Sequence, residues 1–234
     1  MNVLVTGASR GIGKAIAEYL TELGYAVYAT SRNAADLAQY KYFCAADLST
    51  KDGIEKLGKY ISDSNIDVLV NNAGAYINSE IEDCGFEEIE GLINLNLVVP
   101  MCLISKAVPY MKEKRFGRII NIGSISGIMG EANASLYSAS KSGLVGGTKA
   151  LALELAEFGI TVNTINPGWV DTDMGNSSAE EGDFTKDEIV ECIPQRRFVE
   201  PKEIAGMVKY LISDEAKGVT GQSINICAGL TCGC

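Results

Sequence analysis

Short apolar runs alternate along this chain with longer stretches in which apolar residues recur every third or fourth position. The runs fall near 2–6, 26–30, 40–44, 67–70, 117–122, 160–165 and 223–226. Their Val, Ile and Tyr content marks them as strands. Helical spacing occupies 12–23, 50–62, 86–113 with a break inside it, 136–157 and 201–212. Pro201 suits the first turn of the last helix, where its missing N–H costs nothing. Strand and helix in strict alternation predict an α/β fold with a doubly wound, seven-stranded parallel sheet covered on both faces. No Pro-, Ser- or Gly-rich run divides the 234 residues, so 1–234 is read as one domain.

One segment breaks the pattern. "GNSSAEEGDFTKDEIVECIPQRR", 175–197, is acidic and weakly periodic, and it follows Pro167-Gly168 at a strand end. It reads as an excursion over the carboxyl edge of the sheet, where open α/β sheets bind ligands. A substrate lid over about 172–200 is expected, with Trp169, Met174, Phe184 and Ile189 as apolar walls. A solvated surface insertion is the competing reading.

Composition narrows the partners. Thirty acidic against twenty basic residues give a formal net charge of -10, which repels nucleic acid and anionic membranes. Met1 is followed by apolar residues without a basic leader, and no run of 18 apolar residues occurs; a cytoplasmic protein is expected. There is no histidine. The seven cysteines are an odd number, and the cluster Cys227, Cys232 and Cys234 lacks the fourth ligand of a structural metal site. No metal is expected.

"VLVTGASRGIGKAIAEYL" passes from a strand through Gly7, Gly11 and Gly13 into a helix. Glycines there permit a tight turn and let backbone approach a pyrophosphate held at the helix N-terminus. The spacing T-G-x-x-x-G-x-G resembles the short-chain dehydrogenase/reductase family. So do "NNAG" at 71–74, "NLNL" at 94–97, "IGSISG" at 122–127, "YSASK" at 137–141 and "NPG" at 166–168, in the same order. The resemblance implies a Rossmann fold and a dinucleotide along the carboxyl edge. Its phosphate and ribose contacts would come from Thr6, Gly7, Ser9, Arg10, Gly11, Ile12 and Gly13, with Asn72, Ala73 and Gly74 lining the ribose side. Asp47 and Leu48 would meet the adenine. Pro167, Gly168, Val170 and Thr172 would meet the nicotinamide end. Asp47 and Asn72 also suit turns that stabilise their own loops.

The end of the second strand carries Ser31 and then Arg32, where an NAD enzyme places an acid for the ribose hydroxyls. A guanidinium welcomes a 2'-phosphate that a carboxylate would reject. With Arg10 as a second candidate, NADP(H) is the expected cofactor.

The run "LYSASKSG" sets Tyr137 four residues before Lys141. Four residues turn a helix by about 400°, so the two share a face with Cβ atoms roughly 5 to 6 Å apart. At about 5 Å and an effective dielectric near 20, the ammonium would stabilise a phenolate by roughly 3 kcal/mol and bring the phenol from about 10 toward 8. A tyrosine so tuned gives a proton to a carbonyl or takes one from an alcohol. Both side chains would also touch the coenzyme. The resemblance adds Ser124 as the group that orients the substrate oxygen, with Ser126 its rival. It adds Asn96 as holder of a relay water, with Asn94 its rival.

The expected activity is interconversion of a ketone and a secondary alcohol with NADPH, foremost on a 3-oxoacyl thioester of acyl carrier protein. In such relatives a basic pair meets the carrier. Arg115 matches one member, the other position is Phe158, and Lys112, Lys114, Arg115 and Arg118 are candidates for a local basic patch. The alternatives are a hydroxysteroid dehydrogenase or carbonyl reductase for a free small ketone, and a non-catalytic NADPH sensor. A sensor predicts loss of a catalytic residue, and none is lost. The family implies a homotetramer or homodimer, with helices 94–113 and 136–157 paired across a boundary; Gly143, Gly146 and Gly147 would allow close approach there or else pack on their own sheet.

Overall fold

The computed structural model of the chain describes residues 1–176 and 185–232. Seven strands, β1 Asn2–Thr6, β2 Ala26–Ser31, β3 Tyr42–Ala45, β4 Val68–Asn71, β5 Gly117–Ile122, β6 Ile160–Pro167 and β7 Ser223–Ile226, form one sheet in the order β3-β2-β1-β4-β5-β6-β7. Every pairing is parallel. Residues of β4, β5 and β6 are buried throughout, as parallel strands covered on both faces must be. Eight helices with described bounds pack around it: α1 Gly11–Glu22, α2 Lys51–Asp63, α3 Phe86–Ile93, α4 Val99–Lys114, α5 Ser126–Met129, α6 Ser135–Leu155, α7 Lys186–Cys192 and α8 Pro201–Leu211; residues 173–176 are helical as well.

Two cores sandwich the sheet. Ile16 and Leu20 of α1 meet Ile204, Val208 and Leu211 of α8 on one face. Leu57 and Ile61 of α2, Leu103 and Met111 of α4 and Leu155 of α6 cover the other. The helical run 86–114 contains an 18-residue window of mean hydropathy 1.6, long and apolar enough to cross a membrane. Its Leu103, Ile104, Ala107 and Met111 are instead turned onto the sheet.

The expected strands and helices all form, with shifts of one or two residues at most ends. The third strand starts two residues late because Tyr40 closes a tight turn onto Leu37 and is itself buried. The sequence reading missed α7. Its signal is a capping box: Thr185 Oγ1 accepts from the Glu188 N–H at 3.3 Å, and the Glu188 carboxylate accepts from the Thr185 N–H at 2.7 Å. Lid residue Phe184 lies outside the described residues, as do 177–183 and Cys234. Gly143 and Gly147 of α6 serve the chain's own packing, and Gly146 does not. A Cβ at Gly143 would stand 2.9 Å from Leu97, one at Gly147 would overlap Met101, and Gly146 faces open space.

Gly53 shows which of two opposed effects wins in α2. Replacing a helical glycine by alanine ordinarily gains about 1 kcal/mol. Here the added Cβ would overlap the Asp47 carbonyl, a backbone atom that cannot swing aside. Overpacking costs about 1 to 3 kcal/mol. Gly53→Ala is therefore expected to lower the thermal midpoint by several degrees, and a midpoint equal to or above the parent would refute the steric reading.

Candidate active site

The strand order reverses direction between β1 and β4, and the loops leaving these two strands part to open a crevice. Thr6 ties the loops together. Its hydroxyl oxygen accepts the N–H groups of Asn72 and Ala73, each at 2.9 Å, and Asn72 Nδ2 donates to the Thr6 carbonyl at 2.9 Å. Gly7 turns with φ +68, and a Cβ on it would stand 3.1 Å from Asn72 Nδ2. At Gly13 an added Cβ would overlap the Gly7 carbonyl, so α1 lies directly against the loop. No side chain caps the N-terminus of α1, and its first turn holds no acid. Its N–H groups and positive dipole end are open to an anion.

A cleft of about 1040 Å³ follows the carboxyl edge. Ser9, Arg10, Gly11, Ile12, Ser31, Arg32, Asp47 and Leu48 line one end. Asn72, Ala73 and Gly74 line it with Gly7 at the turn, Ser124, Tyr137, Lys141, Pro167, Gly168 and Val170 line the other end, and Thr172 lies against Gly11, 3.5 Å from where a Cβ there would stand. Thr6 and Gly13 do not line it; both are buried and shape it from behind. Asp47 turns its carboxylate to its own loop, accepting from the Ser49 hydroxyl at 2.7 Å and N–H at 3.0 Å. Those bonds, with a smaller contribution from Arg32, hold its pKa below the usual carboxylate range. Ser31 likewise donates to the Asn33 carbonyl at 2.9 Å.

At the reactive end α6 presents Tyr137 and Lys141 on one face, as their spacing predicts. Lys141 Nζ sits 5.5 Å from the Tyr137 ring centre and donates to the Ile122 carbonyl at 2.9 Å. The expected acid shift of the phenol is not found. Burial pushes Tyr137 up to about 12, opposed by a hydrogen bond with Ser124 and reinforced by the Glu131 charge. Burial also pushes Lys141 down to about 8. Desolvation, which helix spacing alone does not take into account, is the largest cause of both shifts.

Asn96 lies within a wide π-turn, Asn94–Val98, that joins α3 to α4 and accounts for the expected break. Its side chain is fully buried. Nδ2 donates to the Ala75 carbonyl at 2.9 Å and to Ser140 Oγ at 3.2 Å, and Oδ1 accepts the Ala75 N–H at 2.9 Å. Asn96 thus anchors the loop after β4 from behind the cleft, while Asn94 is only half-buried. The serine rivals prove to be partners: Ser124 Oγ donates to Ser126 Oγ at 3.0 Å.

Two groups in the cleft went unpredicted. Tyr76 stands edge-on to Tyr137 with ring centres 5.1 Å apart, and Glu131 accepts from the Tyr76 hydroxyl at 2.9 Å. Both sit on loops, where no periodicity tells which way a side chain turns. On the lid side Trp169, Met174, Glu188, Ile189 and Cys192 face the cleft, and Trp169 stacks on Phe198 at 5.8 Å. The expected basic patch is smaller than its sequence suggests. Arg118 is 3% exposed and bonds the Gly117 and Gly159 carbonyls, and Lys114 is paired with Asp67. Lys112 lies over the Phe158 ring, and Arg115 donates to the Glu157 carbonyl.

Residues 7–231 match a family model described as enoyl-(acyl carrier protein) reductase. A 3-oxoacyl-(acyl-carrier-protein) reductase of Vibrio harveyi is 39% identical over 237 residues, covering 97% of this chain and 96% of the relative. One from Synechocystis is 40% identical over 243 residues, covering 97% and 95%. A variant of the actinorhodin polyketide ketoreductase solved with NADPH superposes with a TM-score of 0.91 at 37% identity, covering 98% of this chain and 96% of that one. The NADPH-dependent reductase YwfH of bacilysin biosynthesis gives 0.91 at 30% identity, covering 98% and 97%.

The buried ammonium sets a stability test with a definite sign. Below pH 8 the native and unfolded chains both carry a charged Lys141, and the native one bears its desolvation, equivalent to roughly 3 kcal/mol. Between about 8 and 10.5 the native lysine loses its proton first, the unfolded chain binds more protons, and stability rises with pH. Lys141→Met removes the cation but leaves the Ile122 carbonyl unpaired, which returns about 1 to 2 kcal/mol. The variant is expected to melt a few degrees higher than the parent at neutral pH, with the advantage shrinking above pH 8. Melting curves at the two pH values check both sign and trend.

Proposed function

The chain belongs to the short-chain dehydrogenase/reductase family, and from that premise we propose that it reduces a ketone to a secondary alcohol with NADPH. The observation that carries the reading is one cleft with a glycine loop, Arg10 and Arg32 at one end and a Ser124–Tyr137–Lys141 cluster at the other. The residues fit the dinucleotide. The N-terminus of α1 offers uncapped N–H groups, the Gly7 turn leaves no room for a side chain, and the strand-end position of a ribose-binding acid is Ser31. NADPH supplies the hydride when bound.

The protein's own part is to position and to protonate. Backbone N–H groups at Gly11, Ile12 and Gly13 would take the pyrophosphate, and Arg10 and Arg32 the 2'-phosphate. At neutral pH Tyr137 is protonated and Lys141 charged. The phenol therefore rests as a proton donor, which suits reduction, where the carbonyl oxygen gains a proton as its carbon gains the hydride. Ser124, bonded to that phenol, orients the carbonyl. Asn96 holds the Gly74–Ala75 backbone against Lys141, in the place where a relay water is expected.

The likeness to named 3-oxoacyl-(acyl-carrier-protein) reductases supports a 3-oxoacyl thioester as substrate. A free hydrophobic ketone is the second reading, favoured by one observation: of the basic residues that would meet an acidic carrier, Arg118 is buried and the charge of Lys114 is paired with Asp67. Trp169 on the cleft wall, backed by Phe198, would suit either. Leu153, 84% exposed on α6, and the open face at Gly146 support assembly into the homotetramer or homodimer expected of the family.

Tyr137→Phe is expected to leave NADPH binding within about twofold while turnover falls by two or more orders of magnitude; retained turnover refutes the donor role. Arg32→Asp is expected to weaken NADPH binding about tenfold or more and to raise relative use of NADH. A panel of an acyl thioester, a steroid ketone and a small diketone, each assayed with NADPH, decides between the substrate readings.

A further inference from the structure

Glu131 sits in the cleft beside the reactive end, and its contacts give it a part in the chemistry. Oε2 accepts from Ser126 Oγ at 2.6 Å and Oε1 from the Tyr76 hydroxyl at 2.9 Å. A carboxylate oxygen only accepts, so the single proton of Ser126 is committed to Glu131. Ser126 Oγ is left as an acceptor for Ser124 at 3.0 Å, while Ser124 Oγ takes the Ser126 N–H at 3.1 Å. Ser124 also bonds Tyr137, and a hydroxyl donated from Ser124 lowers the tyrosine by favouring its phenolate. The serine has one proton and two claimants for it, Ser126 and the tyrosine oxygen. With the proton turned to Ser126, Ser124 offers Tyr137 a lone pair, which suits an O–H and not an O⁻.

We propose that Glu131 is a positioning residue: through Ser126 it draws the hydroxyl proton of Ser124 away from Tyr137 and so keeps the tyrosine a proton donor. The inference rests on the ketone-reducing function proposed above. The titratable and charged groups facing Tyr137 are Lys141 from α6, Tyr76 from the loop after β4 and Glu131 from the loop after α5. Across the cleft lie Asp173, Glu188 and Cys192. Lys141 is the cation of this set and turns its Nζ to the Ile122 carbonyl. The negative charge of Glu131 acts on the phenol in the same sense as the hydrogen-bond chain. Charge and chain both favour the protonated tyrosine, and with it reduction over oxidation.

The two contributions separate by substitution. Glu131→Gln removes the charge and lets an amide N–H reverse the chain. Ser126→Ala leaves the charge but removes the bridge, freeing the Ser124 proton for Tyr137. Tyr76→Phe unties Glu131 from the facing loop and leaves the bridge intact. The experiment measures kcat/KM for a reduced ketone across the alkaline range at saturating NADPH. NADPH affinity and melting temperature are measured on the same samples.

Glu131→Gln and Ser126→Ala are each expected to bring the alkaline limb down by about one pH unit, with NADPH affinity unchanged within about twofold. Tyr76→Phe is expected to leave the limb in place. A limb that moves in Glu131→Gln but not in Ser126→Ala assigns the effect to charge through space and overturns the chain. Equal movement in Tyr76→Phe makes Glu131 a loop tie and overturns it as well. If the unaltered protein binds NADPH but reduces no ketone of the panel, the proposed function falls, an outcome distinct from active protein with unmoved limbs.

Discussion

An ammonium buried under the carboxyl edge of the sheet governs this site. Lys141 is 5% exposed and has one hydrogen bond to protein, to the last carbonyl of β5. Bringing it there dictates its surroundings. A Cβ at Gly127 would stand 2.8 Å from that of Lys141, and one at Gly74 would lie 2.9 Å from Asn96 Oδ1 and 3.6 Å from Nζ. Both glycines are needed for close approach rather than for an unusual turn. Asn96 in turn requires the π-turn, because the extra residue there rotates its amide inward to meet Ala75 at both ends. Glycine, asparagine, π-turn and lysine form one constraint, contributed by segments far apart in the chain.

The same burial explains why the resting protonation states differ from those that helix spacing suggests. Two groups 5 to 6 Å apart attract as ions, but only after each has lost water. In this cleft the loss is the larger effect, since the phenol moves up to about 12 and the ammonium down to about 8. A neutral phenol beside a charged amine is then the state at neutral pH.

The fold was legible because its signals are periodic. Seven apolar runs, five helical stretches and a Thr6–Gly13 loop between strand and helix leave few other ways to bury the apolar faces. The shared face of Tyr137 and Lys141 was legible by helical geometry, and the glycine turn between β1 and α1 by likeness of motif. What stayed hidden depends on direction rather than pattern. Thr6 reads as a contact and proves to be a clamp behind the wall. Arg118 reads as surface charge yet lies in β5, where its side chain is covered. Glu131 and Tyr76 come from two loops that meet across 55 residues of sequence, and no local rule orients either. The capping box at Thr185 is the exception, a local signal that was present and unused.

The two ends of the cleft are therefore held in different ways. The phosphate end takes its shape from backbone and a hydroxyl, the Gly7 turn, the start of α1 and the Thr6 clamp, with the side chains of Arg10, Arg32 and Asp47 added to its lining. The reactive end is built from hydroxyls, a carboxylate and a cation whose protons can shift among them. Changes of pH should leave the first end unaltered and rearrange the second. Trp169 and Ile189 belong to neither set, since they wall the cleft from segments beyond its glycine turn and its hydroxyl cluster. A rigid sheet carrying variable loops permits such walls to change while the groups set on strand ends and on α6 stay fixed.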